Sequence, residues 1–184
     1  MADEATRNPD ANEALTRWNA LDAVEATRAI LPCCGSRAWA NALAARKPFT
    51  NANALFEASN AVWAALSEND WREAFDSHPR IGQQHAHAAT AQSLAWSREE
   101  QRTAISSDSA SEPSAQLVLA ERNRQYEERF GRIFIVCATD KNITEILAIL
   151  DSRMKNTDVA ELQEAAEQQR QITQLRLRRW LGVK

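Results

Sequence analysis

Chemistry near neutral pH needs a group that gains and loses a proton there, and His78 in Ser77-His78-Pro79-Arg80-Ile81-Gly82 is such a group. Pro79 fixes its own φ and pushes His78 out of the helical region, so the imidazole sits on a turn. The plain reading of the same residues is a turn histidine beside a helix-starting proline. A second candidate is Ser97-Arg98-Glu99-Glu100-Gln101. Ser97 with Glu100 has the spacing of a capping box and predicts a helix start. A helix start also offers free backbone N–H groups to a ligand, to which Glu100 adds an acceptor and Gln101 an amide.

Arg176 is the third candidate. At about 100° per residue it lies about 40° from both Ile172 and Trp180, on the apolar face of a helix. A buried guanidinium needs a partner, which is either a core carboxylate or a substrate anion. The fourth is Phe134-Ile135-Val136-Cys137-Ala138, within the one run of strand-like residues. No second run could pair with it, so it predicts a buried extended stretch or a helix start. Its plain reading is core. Any of its amides that the fold leaves over would suit a planar ligand rich in amide donors and acceptors.

Other candidates carry less. His85 and His87, with His78, could be read as a zinc set, but no standard ligand spacing is present. Cys33-Cys34 lacks the Cys-x-x-Cys redox spacing, and there is no glycine-rich phosphate loop or Gly-x-Ser-x-Gly elbow. The six Trp fall mostly at helical-core spacing.

The elements that must position these residues are helical. Leu15, Trp18, Leu21, Val24 and Ile30 recur at helical spacing. Leu31-Pro32 predicts a break. Helices follow around Trp39–Ala44, from a Thr50 or Asn51 cap through Leu66, and from Ser67, with Asp70 at capping spacing, to Ser77. Residues 83–96 are weakly patterned, and 106–114 read as a Ser-rich connection. A long helix then starts at Glu112 or Pro113 and reaches Phe130, where Gly131 stops it. Asn142 with Glu145 opens the next, and Asp158 with Glu161 opens the last, to about Leu181. The expected architecture is all-α, a single-domain compact bundle of about eight helices with no sheet. Residues 1–10 form an N-terminal arm that is possible disorder, and 11–184 form the domain.

Composition narrows the class. With 184 residues, 44% hydrophobic and 26% charged, the chain can bury a core without disulfides. Four Gly and five Pro are too few for a turn-rich β-protein. A net charge of -3 argues against a chain-wide nucleic-acid footprint. Three cysteines, two of them adjacent, fit a reducing compartment. The N-terminus lacks a signal-peptide layout, the tail is not a peroxisomal address, and no apolar run spans a bilayer. These features together read as a cytoplasmic protein with no membrane partner.

In order along the chain, Ser77 to Gly82, Ser97-x-x-Glu100-Gln101, Tyr126-x-x-x-Phe130-Gly131 with Phe134 to Ala138, and Ile172-x-x-Leu175-Arg176-Leu177 resemble one family. It is the decarboxylases of 2-oxo-4-hydroxy-4-carboxy-5-ureidoimidazoline (OHCU), and the resemblance runs from about Leu15 to Leu181. It implies an all-helical, homodimeric enzyme without a cofactor or metal, which releases CO₂ from a small ureide acid and gives (S)-allantoin in urate breakdown. It implies that His78, Glu100 and Arg176 are catalytic. It places substrate contacts on Pro79, on Ser97, Arg98, Glu99 and Gln101, and on Phe134, Ile135, Val136, Cys137 and Ala138. Two alternatives stand beside it: a non-catalytic helical interaction module, and a zinc-dependent hydrolase using His78, His85 and His87.

Overall fold

The computed structural model describes residues 9–81, 89–102 and 113–183. Among them are nine helices, against about eight expected, and no strand, as the residue pattern predicts. They are α1 (Pro9–Ala20), α2 (Ala23–Cys34), α3 (Arg37–Ala44), α4 (Ala52–Ala64), α5 (Glu68–Asp76), α6 (Ala91–Glu100), α7 (Pro113–Phe130), α8 (Ile143–Arg153) and α9 (Asp158–Leu181). The expected N-terminal arm lies mostly outside the described residues, and its last two residues, Pro9 and Asp10, already belong to α1. No described helix is long and apolar enough to cross a membrane. The chain divides into two compact units, Met1–Glu73 with Arg170–Lys184, and Ala74–Gln169.

In the first unit the short helices are held by side-chain caps. Asp22 accepts from the Glu25 amide, Ser36 from Trp39 and Asn51 from Ala54. Each cap satisfies an amide that a helix start leaves over, a contribution of about 1 kcal/mol. Trp18 is buried, with its indole N–H donated to the Ala26 carbonyl at 2.9 Å and its ring against Phe49 and Trp180. The break expected at Leu31-Pro32 does not occur. Pro32 lies in the last turn of α2, where it removes a single helical donor. The helix runs on to Gly35, whose left-handed backbone (φ 89°) ends it while its N–H bonds the Leu31 carbonyl.

The second unit packs α7 and α8 around Tyr126, Phe130, Phe134, Ile146 and Leu150. Gly131 ends α7 at φ 63°, and Asn142 with Glu145 forms a reciprocal capping box on α8, both as the sequence predicts. The proposed Asp158–Glu161 cap is not formed. Glu161 is fully buried, and its carboxylate accepts from Arg153 Nε at 2.8 Å and Nη2 at 2.5 Å, from Asn156 at 2.8 Å, and from the Tyr126 hydroxyl. Asp158 instead accepts from Arg132 at 2.8 Å, and Thr157 takes the Ala160 amide. The capping spacing was misleading because a buried guanidinium competes for the same carboxylate far more strongly than a solvated amide does.

Removing one member of a buried ion pair strands the other. Arg153→Met is expected to lower the unfolding free energy by about 3–5 kcal/mol in urea denaturation. The double variant R153M/E161L is expected to recover only part of that loss: both charges leave together, but the Ile135 carbonyl and the Tyr126 hydroxyl lose their partners. A loss under about 1 kcal/mol in Arg153→Met would show a pair no stronger than a surface one.

Candidate active site

Three segments of the second unit carry the residues singled out for chemistry. The first follows α5, where the chain tightens into turns. The Ser77 amide bonds the Ala74 carbonyl at 3.2 Å, its hydroxyl donates there at 2.7 Å, and the His78 amide bonds Phe75 at 2.9 Å. His78 stands off the helix before Pro79, and Ser77, His78 and Pro79 are all buried. Arg80, next along, makes a two-pronged ion pair with Glu127 on α7 at 2.5 and 2.6 Å. This pair anchors the histidine turn to α7. Gly82, His85 and His87 lie outside the described residues. Among the described residues no group of three or more His, Cys, Asp or Glu is placed to hold a metal ion.

The second segment is the end of α6, which corrects the sequence reading. Thr90 caps this helix, accepting from Ser93 at 3.1 Å. Ser97 therefore lies in its last turn, and Gln101 closes it with an amide bonded to the Ser97 carbonyl at 3.0 Å. Ser97 and Gln101 are buried one turn apart, and Glu100 is half-buried beside them. Arg98 and Glu99 are exposed, and Glu99 pairs instead with Arg102 at 3.1 Å. What this segment presents is thus a helix C-terminus, rich in carbonyl oxygens, with a carboxylate beside it. Such a surface attracts N–H donors and repels anions, the reverse of a helix start.

The third segment is Phe134–Ala138. It is buried, non-helical and paired with no strand among the described residues. Its last carbonyl, that of Ala138, accepts from the Lys141 amide at 3.1 Å, and its other partners among the described residues are side chains. Arg153 donates to the Ile135 carbonyl at 2.6 Å, Gln168 accepts the Cys137 amide at 2.9 Å, and Lys141 donates to the Cys137 carbonyl at 2.8 Å. The residues bonded by side chains alternate, as on one edge of extended backbone, where successive residues turn their amides to opposite sides. The opposite edge is centred on Val136, which is 6% exposed, and among the described residues nothing bonds its N–H or its C=O. Burial pushes the Cys137 thiol upward in pKa, and the Glu100 carboxylate adds to that push, so the end of α6 is an electrostatic neighbour of this stretch.

Arg176 belongs to the first unit, on α9, and is 1% exposed. Its Nη1 lies 3.5 Å from the Pro32 carbonyl. Its charge acts on Cys34, whose thiol burial pushes up to about 12 against hydrogen bonds from Ser36 and Thr173 and against that charge.

A family model described as OHCU decarboxylase matches residues 19–178, a span that includes His78, Glu100 and Arg176. The chain belongs to the OHCU decarboxylase family. It is 37% identical over 145 residues to an Arabidopsis thaliana protein named uric acid degradation bifunctional protein TTL, covering 79% of this chain and 44% of that one. Over 55 residues it is 47% identical to the 2-oxo-4-hydroxy-4-carboxy-5-ureidoimidazoline decarboxylase of Amia calva, covering 30% of this chain and 31% of that one. The chain thus spans less than half the length of these curated relatives. Among solved structures, a crystal structure of OHCU decarboxylase in the presence of (S)-allantoin matches at a TM-score of 0.70 and 33% identity, covering 83% of this chain and 96% of that one. A crystal structure of (S)-allantoin synthase matches at a TM-score of 0.66 with 17% identity, covering 92% of this chain and 53% of that one, a likeness of fold alone.

Within this OHCU decarboxylase-family chain, sequence reasoning missed Lys141, Arg153 and Gln168, the three side chains that hold the Phe134–Ala138 stretch. The box at Asn142 and Glu145 marked where Lys141 falls, but nothing in the local pattern marks Gln168.

The thiol beside Arg176 makes a measurable difference in alkali. Both folded and unfolded chains keep Cys34 protonated below the usual thiol pKa of 9.0; above it only the unfolded chain ionises readily. Stability is therefore lost as pH rises beyond that point, by up to about 1.4 kcal/mol per pH unit from this one group. Cys34→Ala is expected to flatten the fall in urea midpoint between pH 9 and 10, and an unchanged slope contradicts the burial of this thiol in the folded state.

Proposed function

We propose that this chain catalyses the cofactor-free decarboxylation of OHCU to (S)-allantoin, with His78 moving the proton. The observation that carries the reading is the Val136 edge: a buried N–H and C=O that no described residue satisfies, in the unit that also holds His78 and Glu100. A buried amide without a partner costs on the order of 1–3 kcal/mol, and a ureide supplies one donor and one acceptor side by side, the complement of that edge.

The chemistry follows from the substrate. OHCU carries a carboxylate and a hydroxyl on one ring carbon, next to a C=N bond. Breaking the bond to the carboxylate releases CO₂, and its electron pair forms a C=C bond to the former imine carbon. The C=N π pair moves onto nitrogen, which takes a proton. The resulting enol gives up its hydroxyl proton and becomes a carbonyl, while the former imine carbon is protonated from one face, which fixes a single enantiomer. Net, one proton is consumed and one CO₂ released. His78, held off the helix by Pro79, is the group that exchanges protons in these steps.

Glu100, at the carbonyl-rich end of α6, suits the ureido N–H groups better than the substrate carboxylate. The part given to Arg176 rests on its chemistry: a planar fork that pairs with a carboxylate or carbonyl oxygen through two parallel hydrogen bonds. The homodimer and the cytoplasmic location implied by the resemblance belong to the same proposal, and sedimentation equilibrium reads the dimer directly.

The test is to add the protein to freshly generated OHCU and follow allantoin by circular dichroism. His78→Asn is expected to keep its melting midpoint and to lose about 10²–10⁴-fold in kcat. Stereospecific turnover near the wild-type rate in that variant removes His78 from the mechanism. Glu100→Gln and Arg176→Ala are expected to lower kcat/KM. A chain that leaves OHCU unchanged supports the helical interaction module over the decarboxylase, and metal analysis of the purified protein, with activity in a chelator, separates that module from a zinc hydrolase.

A further inference from the structure

We infer that Gln168 and Glu164 are positioning residues for the reaction, acting through the peptide of Cys137 to hold the Val136 edge in the orientation that reads a ureide. The inference rests on the proposed function and adds residues to it.

The argument starts from how the buried stretch is fixed. A strand in a sheet is held by a ladder of many backbone bonds, but Phe134–Ala138 has three side-chain bonds on alternate residues. Two of them meet at Cys137: Gln168 Oε1 accepts from its N–H at 2.9 Å and Lys141 Nζ donates to its C=O at 2.8 Å. Those two bonds fix the tilt of the peptide planes on both sides of Cys137. One of these planes contains the Val136 carbonyl, because the Val136 C=O and the Cys137 N–H belong to the same peptide unit. The two groups point to opposite sides of one rigid plane, so turning the Cys137 N–H turns the Val136 C=O by the same angle.

Gln168 can accept only if its amide faces the right way. An unrestrained glutamine presents its NH₂ about as readily as its oxygen. Here Nε2 donates to the Glu164 carboxylate at 2.9 Å, one turn earlier on α9. A carboxylate accepts and cannot donate, so Glu164 fixes the NH₂ on its own side and leaves Oε1 toward Cys137. The order Glu164, Gln168, Cys137 N–H, Val136 C=O is thus a directed chain, with one donor and one acceptor at every step. All four residues lie in the second unit, and Gln168 and Glu164 are half-buried rather than part of the packed core, so changing them leaves the core intact.

The experiment compares Gln168→Leu with the exchange variant E164Q/Q168E. The first removes the acceptor; the second restores it, with a carboxylate at 168 and an NH₂ donor at 164. Loss of one well-placed hydrogen bond to the ligand-reading edge is expected to raise KM for OHCU about tenfold in Gln168→Leu, with kcat within about twofold of wild type. The exchange variant is expected to return KM to within about threefold of wild type. Amide hydrogen exchange at Cys137 is expected to quicken in Gln168→Leu and to slow again in the exchange variant. A wild-type KM in Gln168→Leu overturns the inference, as does a KM raised equally in both variants. Failure of the proposed function is seen separately, as a wild-type chain that does not turn OHCU over while Cys137 exchange still follows Gln168; that outcome removes the substrate role and overturns the inference with it.

Discussion

A buried peptide group has to be hydrogen-bonded, and the second unit of this molecule is organised around one stretch where helices cannot supply the usual partners. Phe134–Ala138 runs among helices with no strand beside it among the described residues. Three side chains take the place of a strand: Arg153 from α8, Lys141 from the turn before it and Gln168 from α9. Arg153 can enter the core only because Glu161 neutralises it there, and Glu161 is in turn bonded by Tyr126 and Asn156. Burial and the Glu161 carboxylate push the Tyr126 hydroxyl well above its ordinary range, so it stays a donor at every physiological pH. The ion pair, the phenol and the buried backbone are one structure, and none of its parts is stable in the interior without the others.

The polarity of the surroundings follows from where helices end. Had Ser97 begun α6, the candidate site would face amide N–H groups and favour an anion. Because α6 begins at Thr90, the site faces carbonyls and Glu100. The same five residues give opposite electrostatics according to which end of the helix they occupy. That difference makes this end of the second unit a surface that favours N–H donors over anions.

How much of this was legible in the sequence depends on the range of the interaction. Asn142 with Glu145, Ser67 with Asp70 and Gly131 are local devices, complete within four residues, and each is formed as its pattern predicts. His78 before Pro79 is equally local, since proline acts on the residue next to it. Where a pattern is open to a distant competitor, reading it locally fails. Glu161 has the spacing of a cap, yet Arg153, eight residues away, takes it. Ser97 and Glu100 have the spacing of a capping box, yet a cap seven residues earlier at Thr90 had already started the helix. Pro32 looks like a stop, yet in a last turn it has little left to interrupt. Gln168 was invisible because its partner is a backbone amide, which leaves no mark on side-chain pattern.

An extended segment with one edge satisfied and one edge free is ordinarily a hazard, because it pairs with any other chain. Here Val136, which no described residue hydrogen-bonds through its backbone, is only 6% exposed, so no second polypeptide can align along it. The bonds to Ile135 and Cys137 come from three different elements, so each peptide plane is set by its own partner while the stretch as a whole stays anchored when one of them is lost. Buried backbone is in this way given one orientation inside an all-helical unit, by side chains that do for it what a neighbouring strand does in a sheet.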